Sequence, residues 1–306
     1  MRYRPLGKSG IVVSELGLGC GFLGHAAGFD GPRLLSQALE LGVTLYDTAD
    51  FYGDTELWLG RAFENNRDQV VLATKFGMLR RPDGNITTDF SVAHMRKVLD
   101  SALKRLRTDV IDLFQLHSPP PEVLDDLELL EALRAAKRAG KIRGFGLSLY
   151  GVELMRQAIL RWQPDALQVD FNLYDQQARE IFAEAEQAGV GLLARRPLDS
   201  GMLGGDLGPD ARLKPGDPRQ RWGAAVTERR QALLSELEFL TRGRSPAEAA
   251  LAFVLSHSAI SAAIPSTVNL AHLKQNAAVA GRRLSANELE RATSLAPKFM
   301  HAKLGV

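Results

Sequence analysis

A chain of 306 residues, 45% hydrophobic and 24% charged, has apolar material for one large core, and α/β barrels reach roughly 250 residues as one domain. Lys and Arg total 38 against 36 Asp and Glu, so the formal charge of +2 carries no footprint for nucleic acid or a membrane surface. The one cysteine, Cys20, excludes an internal disulfide and a multi-thiolate metal site; with neither an apolar signal core after Met1 nor a run of about 18 apolar residues, cytoplasmic residence is the expectation.

Met1 to Val13, with Gly7-Lys8-Ser9-Gly10 between apolar flanks, predicts a short β-hairpin that caps a barrel floor. Glu15 to Gly19 and Val43 to Asp47 are the first two strand-length apolar runs, and Thr55 to Phe63 is helical, with Trp58 packing inward. Val70 to Lys75 is a third strand. Ser91 to Arg107 follows as an amphipathic helix with Ser91 as its cap. Ile111 to His117 is a fourth strand, and Glu122 to Ala139 a helix stopped by Gly140. Arg143 to Ser148 and Ala166 to Phe171 are the next strands. Ala178 to Ala188 is a helix ended by Gly189, Val190 to Ala194 a strand, and Ser261 to Pro265 the last strand. Asp199 to Arg221, rich in Gly, Pro, Asp and Arg, is too long for a plain connection and predicts a cover over a ligand, with Arg219, Arg221 and Trp222 near it.

Eight strands alternating with helices predict parallel pairing through right-handed crossovers. A single-domain (β/α)₈ barrel over 1–306 accommodates them; an open doubly wound sheet is the alternative. The barrel is preferred because polar residues end nearly every strand and no phosphate-binding glycine fingerprint follows the first.

In a parallel barrel the carboxyl ends of all strands meet at one rim. Asp47, Lys75 and His117 end strands two, three and four, and Tyr52 lies in the loop after strand two. Each alone is unremarkable, since aspartates cap turns and lysines snorkel at rims. Together they make a proton-transfer set: Lys75 stabilises a Tyr52 phenolate, Asp47 keeps Lys75 charged, and His117 orients a carbonyl oxygen. No side chain can supply hydride, so a nicotinamide cofactor is implied. His25, His94, His257, His272 and His301 have no mutual metal-ligand spacing, and no metal is predicted.

The chain resembles the aldo-keto reductase superfamily. The resemblance runs through Tyr3-Arg4-Pro5-Leu6-Gly7, Asp47-Thr48-Ala49-Asp50-Phe51-Tyr52-Gly53, Ala73-Thr74-Lys75, Leu116-His117-Ser118-Pro119, Ile264-Pro265-Ser266-Thr267 and Asn276. It implies Asp47, Tyr52, Lys75 and His117 as a catalytic tetrad with Tyr52 as general acid, NADP(H) as cofactor with NAD(H) as the alternative, and a small carbonyl or alcohol substrate. It further implies cofactor contacts from Gly19, Cys20, Asp47, Ser148, Gln168, Arg195, Pro197, Leu198, Ser200, Met202, Ile264, Ser266, Thr267, His272, Gln275 and Asn276, with Ser148 and Gln168 on the carboxamide. Three departures from the family pattern stand out: Leu149 replaces an asparagine, Arg195 replaces a tyrosine stacked on the nicotinamide, and Ser266, Val268 and His272 occupy positions where relatives supply cations, leaving Lys274 nearby. A nicotinamide-binding regulatory or scaffold subunit is the rival reading. A metal-dependent hydrolase is a second rival, but no His-x-His pair supports it. Substrate choice is expected in three loops, 25–30, 79–89 and 199–221.

Overall fold

The computed structural model describes residues 1–21, 23, 31–205, 228 and 231–297. Its elements in chain order are β1 (Tyr3–Pro5), β2 (Val12–Ser14), β3 (Leu18–Gly19), α1 (Gly31–Glu40), β4 (Leu45–Asp47), α2 (Thr55–Phe63), β5 (Val71–Phe76), β6 (Met78–Arg80), β7 (Ile86–Thr88), α3 (Val92–Arg105) and β8 (Ile111–His117). There follow α4 (Leu127–Arg138), β9 (Ile142–Ser148), α5 (Val152–Arg161), β10 (Ala166–Asp170), α6 (Phe182–Ala188), β11 (Gly191–Arg195), α7 (Pro246–Leu255), β12 (Ile260–Ile264), α8 (Leu270–Ala277) and α9 (Ala286–Ser294).

Eight strands pair in parallel in the order β12, β11, β10, β9, β8, β5, β4, β3. The two ends of that sheet meet through Gly17 N donating to Ala263 O at 2.8 Å, Ala263 N to Glu15 O at 2.9 Å and Gly19 N to Pro265 O at 3.0 Å. The sheet is therefore a barrel with helices on its outer face, as the alternating pattern predicts. Its interior is filled by Leu45, Val71, Ala73, Leu113, Leu193 and Ala262. Leu6, Ile11 and Val13 of the antiparallel β1–β2 hairpin join the same cluster and close the floor. Each of those three is fully buried, and each such side chain contributes about 1.5–3 kcal/mol.

Gly7 makes that closure work. Its φ is +55°, and a Cβ there would lie 2.3 Å from Gly189 O and 2.5 Å from Gly191 N, at the foot of β11. Lys8 N donates to the same Gly189 carbonyl at 2.8 Å. Gly7→Ala is expected to cost about 1–3 kcal/mol, because backbone must move to admit the methyl group. Gly10→Ala is the control: its φ is +75°, yet nothing lies within 4 Å of the added carbon. Thermal unfolding of the two variants should rank Gly7→Ala well below Gly10→Ala; equal losses would assign the cost to φ alone.

Three differences from the sequence reading have local causes. α4 starts at Leu127, because Asp126 accepts from Leu129 N at 2.9 Å and so caps the helix, while Pro121–Asp125 form a 3₁₀ turn. The Ala178–Ala188 helix likewise splits into a 3₁₀ turn (Gln177–Ile181) and α6. Residues 79–89, read as a loop, contain a two-stranded hairpin, β6 with β7, that turns at Asp83-Gly84 with Gly84 at φ +85°. Ser91 caps α3 as expected, accepting from His94 N at 3.2 Å. Gly140 and Gly189, at φ +73° and +75°, stop α4 and α6. Most of the loop read as a cover, with Arg219, Arg221 and Trp222, lies outside the described residues, as do His25 and His301. No helix among the described residues is long and apolar enough to cross a membrane.

Candidate functional site

Strand register brings the four proton-transfer candidates to one rim. Asp47 ends β4 and stands opposite Ala73, Lys75 of β5 stands opposite Gln115, and His117 ends β8 opposite Ser148 of β9. Lys75 Nζ donates to Asp47 Oδ2 at 2.6 Å and to Thr48 O at 3.0 Å. Lys75 is 0% exposed and Asp47 4%, so both charges have left water and need full hydrogen bonding in return. Asp47 obtains it: Oδ1 accepts from Gln115 Nε2 at 3.1 Å and from Gln168 Nε2 at 2.8 Å. Burial alone would lower the Lys75 pKa, but the Asp47 carboxylate and the Tyr52 phenol beside it together outweigh burial and hold it above the usual value.

The Tyr52 ring sits beside this pair, its centroid 5.2 Å from Lys75 Nζ and 5.5 Å from the His117 ring, which it meets edge-on at 88°. Burial pushes the phenol pKa up; Lys75 pulls it back, though not to the ordinary value. His117 goes the other way. Burial, with Lys75 and Arg195 as nearby cations, lowers its pKa to about 2, so the imidazole is neutral at physiological pH and carries a single N–H. Its Nδ1 is buried with no hydrogen-bond partner. Where β3 ends, a Cβ on Gly21 would lie 3.4 Å from Tyr52 Cζ, so glycine keeps the approach to the phenol free of side chain.

The neighbouring strand ends form a second network. Arg195 donates from Nε to Asp170 Oδ1 at 2.7 Å, from Nη1 to Ser148 Oγ at 2.5 Å and from Nη2 to Leu149 O at 3.0 Å. Its guanidinium carbon lies 3.9 Å from the centroid of the Tyr150 ring. Arg196 also engages both oxygens of Asp170. Ser148 donates to Gln168 Oε1 at 3.4 Å, so the hydroxyl and amide read as a carboxamide site are adjacent and already bonded to each other. Leu149 contributes its carbonyl, and its side chain is fully buried.

Other candidates fall along the β11–β12 side of the rim. Pro197 and Met202 are buried, Leu198 and Ser200 partly so, in the chain leaving β11. Ile264 ends β12, and Ser266 bridges to Gly19. Ser266, Thr267 and His272 are partly exposed, Gln275 and Lys274 exposed, and Asn276 buried. Asn269 caps α8 by accepting from Ala271 N at 2.8 Å and His272 N at 3.4 Å, so two amides of that helix terminus are already bonded. Cys20 is fully buried beside Asp47, and burial pushes its thiol up, out of thiolate range. His257 packs edge-on against Phe171 and Phe253, both at 4.9 Å, a core role.

Sequence reasoning missed Gln115, Asp170 and Asp50. Gln115 and Asp170 are polar residues inside otherwise apolar strands, and that interruption is the signal that could have found them. Asp50 has a buried Oδ1 without a partner, and its pKa is raised to about 7 by burial and by Glu56.

Residues 27–297 match the family model described as the aldo/keto reductase family. The uncharacterized oxidoreductase YqkF of Bacillus subtilis is 31% identical across 95% of each chain. Two solved structures are also similar. The holo form of aldo-keto reductase AKR11C1 from Bacillus halodurans has a TM-score of 0.81 at 28% identity, covering 100% of this chain and 98% of that one. The glycerol dehydrogenase AKR11B4 from Gluconobacter oxydans has a TM-score of 0.84 at 25% identity, covering 97% and 96%. A family match over most of the sequence, on an eight-stranded parallel barrel, means that this chain belongs to the aldo/keto reductase family.

Proposed function

We propose that this chain reduces a small aldehyde or ketone to an alcohol, or runs the reverse reaction, with Tyr52 as the proton donor and acceptor. The observation that carries this reading is the fully buried Lys75–Asp47 pair beside the Tyr52 ring, next to a neutral His117. A nicotinamide fits the donor set. Ser148 and Gln168 offer a hydroxyl and an amide on adjacent strands, the complement of a carboxamide, and Gly21, just past β3, puts no side chain against the phenol ring. Ser148 and Gln168 would hold that carboxamide, Arg195 would flank it, and the Pro197–Met202 turn with Ser266, Thr267, His272, Gln275 and Asn276 would hold the rest. When bound, the reduced nicotinamide supplies the hydride and both electrons that convert a carbonyl carbon to an alkoxide, ending oxidised.

The residues do the rest. The neutral His117 donates one hydrogen bond to the carbonyl oxygen and fixes its position. Tyr52 gives its proton to that oxygen as negative charge develops there. Lys75 stabilises the phenolate left behind, and Asp47 keeps Lys75 charged. Gln115 and Gln168 hold Asp47 in place, so the electrostatic arrangement precedes the reaction and needs no reorganisation during it.

NADP(H) is the proposed cofactor, with NAD(H) also accepted, because Ser266, Val268 and His272 put no fixed cation where a 2′-phosphate would lie. Mixing the protein with NADPH or NADH and short aldehydes is expected to give aldehyde-dependent cofactor oxidation that a chelator leaves unchanged. Fluorescence quenching of cofactor without any oxidation, across an aldehyde panel, would overturn the enzyme reading in favour of a binding module.

A further inference from the structure

Apart from Asp47, the proposed cofactor contacts come from β3, β9, β10, β11 and β12 and the chain that follows them, which leaves the β4, β5 and β8 side of the rim for substrate. On that side the β6–β7 hairpin, which follows β5, presents Arg80. The Arg80 guanidinium carbon lies 4.8 Å from the centroid of the Phe51 ring, and the Phe51 ring meets His117 edge-on at 6.3 Å. Phe51 is thus a wall between the imidazole and a cation.

Arg80 differs from Arg195 and Arg196, which both engage Asp170. Arg195 has its charge met by Asp170 and its edge spent on Ser148 and Leu149. Arg80 is exposed and, among the described residues, has no carboxylate within ion-pair distance and no hydrogen-bond acceptor. The carboxylates of its own hairpin and the turn after it are occupied locally. Asp83 accepts from Asn85 N and Nδ2, both at 2.9 Å, while Asp89 accepts from Ser91 N at 2.9 Å and faces His94 at 3.9 Å. A planar cation with five free N–H donors, stacked on an aromatic ring, is built to take a carboxylate on its edge.

The geometry points to a substrate class: four- or five-carbon aldehydes that carry a carboxylate at the far end of the chain, with Arg80 as the specificity-determining residue. The two contacts set an upper limit on the length. The guanidinium is no further from His117 than the 6.3 Å and 4.8 Å separations taken end to end. A hydrogen bond of about 3 Å at each end leaves a gap that such a chain spans. This inference rests on the reductase reading above.

The test compares 4-oxobutanoate with butanal, a neutral aldehyde of the same chain length, by kcat/KM in the wild type and in Arg80→Gln. The wild type is expected to favour the anion about ten-fold, the value of one good charge-assisted contact, with the preference carried by KM. Arg80→Gln should bring the anion-to-neutral ratio near one, Arg80→Lys should restore part of it, and added salt should erode the wild-type ratio. A wild type that treats the two aldehydes alike, or an Arg80→Gln variant that keeps the preference, overturns the inference and makes Arg80 a solvated surface charge. Butanal turnover without a preference overturns this inference alone; no turnover of either aldehyde overturns it together with the reductase reading.

Discussion

Tyr52→Phe is expected to lower kcat for aldehyde reduction by about 10²–10⁴-fold while the dissociation constant of the reduced nicotinamide stays within about two-fold. The variant removes one oxygen and keeps the ring. The edge-on contact with His117 at 5.5 Å and the approach of Lys75 Nζ to 5.2 Å both belong to that ring, so the site should stay folded. Steady-state rates and a fluorescence titration check the two halves separately. Undiminished reduction would sink the assignment of Tyr52 as proton donor; a parallel loss of cofactor binding would make Tyr52 a binding residue instead. The direction of the pH dependence follows from the same environment. Burial raises the Tyr52 pKa, so the phenol holds its proton through neutral pH. Reduction should therefore be level across neutrality and fall as pH rises through that raised value. Alcohol oxidation needs the phenolate and should rise over the same interval. His117, with a pKa near 2, stays neutral and adds no limb of its own near neutrality.

What could be read from the sequence was whatever depends on period and strand termini. Asp47, Lys75 and His117 close three apolar runs, and in a parallel barrel the ends of neighbouring runs share a rim, so their convergence needs no knowledge of rotamers. The Gly7 turn and the Ser91 cap were legible for a similar reason: each is a local backbone demand with few residue types that meet it. Gln115 and Gln168 were harder. The sequence marks Gln168 as a candidate carboxamide contact, but it does not show that the Gln168 amide, like that of Gln115, also donates to Asp47 across strands separated from β4 in the sheet. Which way an inward glutamine turns depends on barrel curvature and on its neighbours' rotamers, and neither has a one-dimensional trace.

Arg195 shows the same limit. Its place after an apolar run marked it as a rim residue, and a planar guanidinium invites a stacking role. The structure gives that plane a partner in Tyr150 and ties the edge to Asp170, Ser148 and Leu149. The sequence holds all five residues but not the register that brings Asp170 opposite Arg195. The β6–β7 hairpin escaped for a different reason. Alternation is readable only when one face is buried, and these two strands of three residues expose or half-expose every position, so only the Asp83-Gly84 turn marks them.

Lys75→Met is expected to cost about 3–5 kcal/mol of folding stability, because it strands the Asp47 carboxylate in a site with 4% exposure. Two amide donors remain, Gln115 and Gln168, and they replace neither the charge nor the 2.6 Å contact of the ammonium. Denaturant unfolding of the variant beside the wild type reads this directly. Adding Asp47→Asn to Lys75→Met should recover most of the loss, since an asparagine is isosteric and uncharged, while turnover stays low because no ammonium remains beside the Tyr52 phenolate. A double variant as unstable as the single one would place the cost in the lost packing of the lysine stem rather than in the stranded charge. Recovery of stability without recovery of turnover would separate the two functions of the pair: Asp47 makes a buried lysine tolerable, and the lysine makes Tyr52 a usable acid.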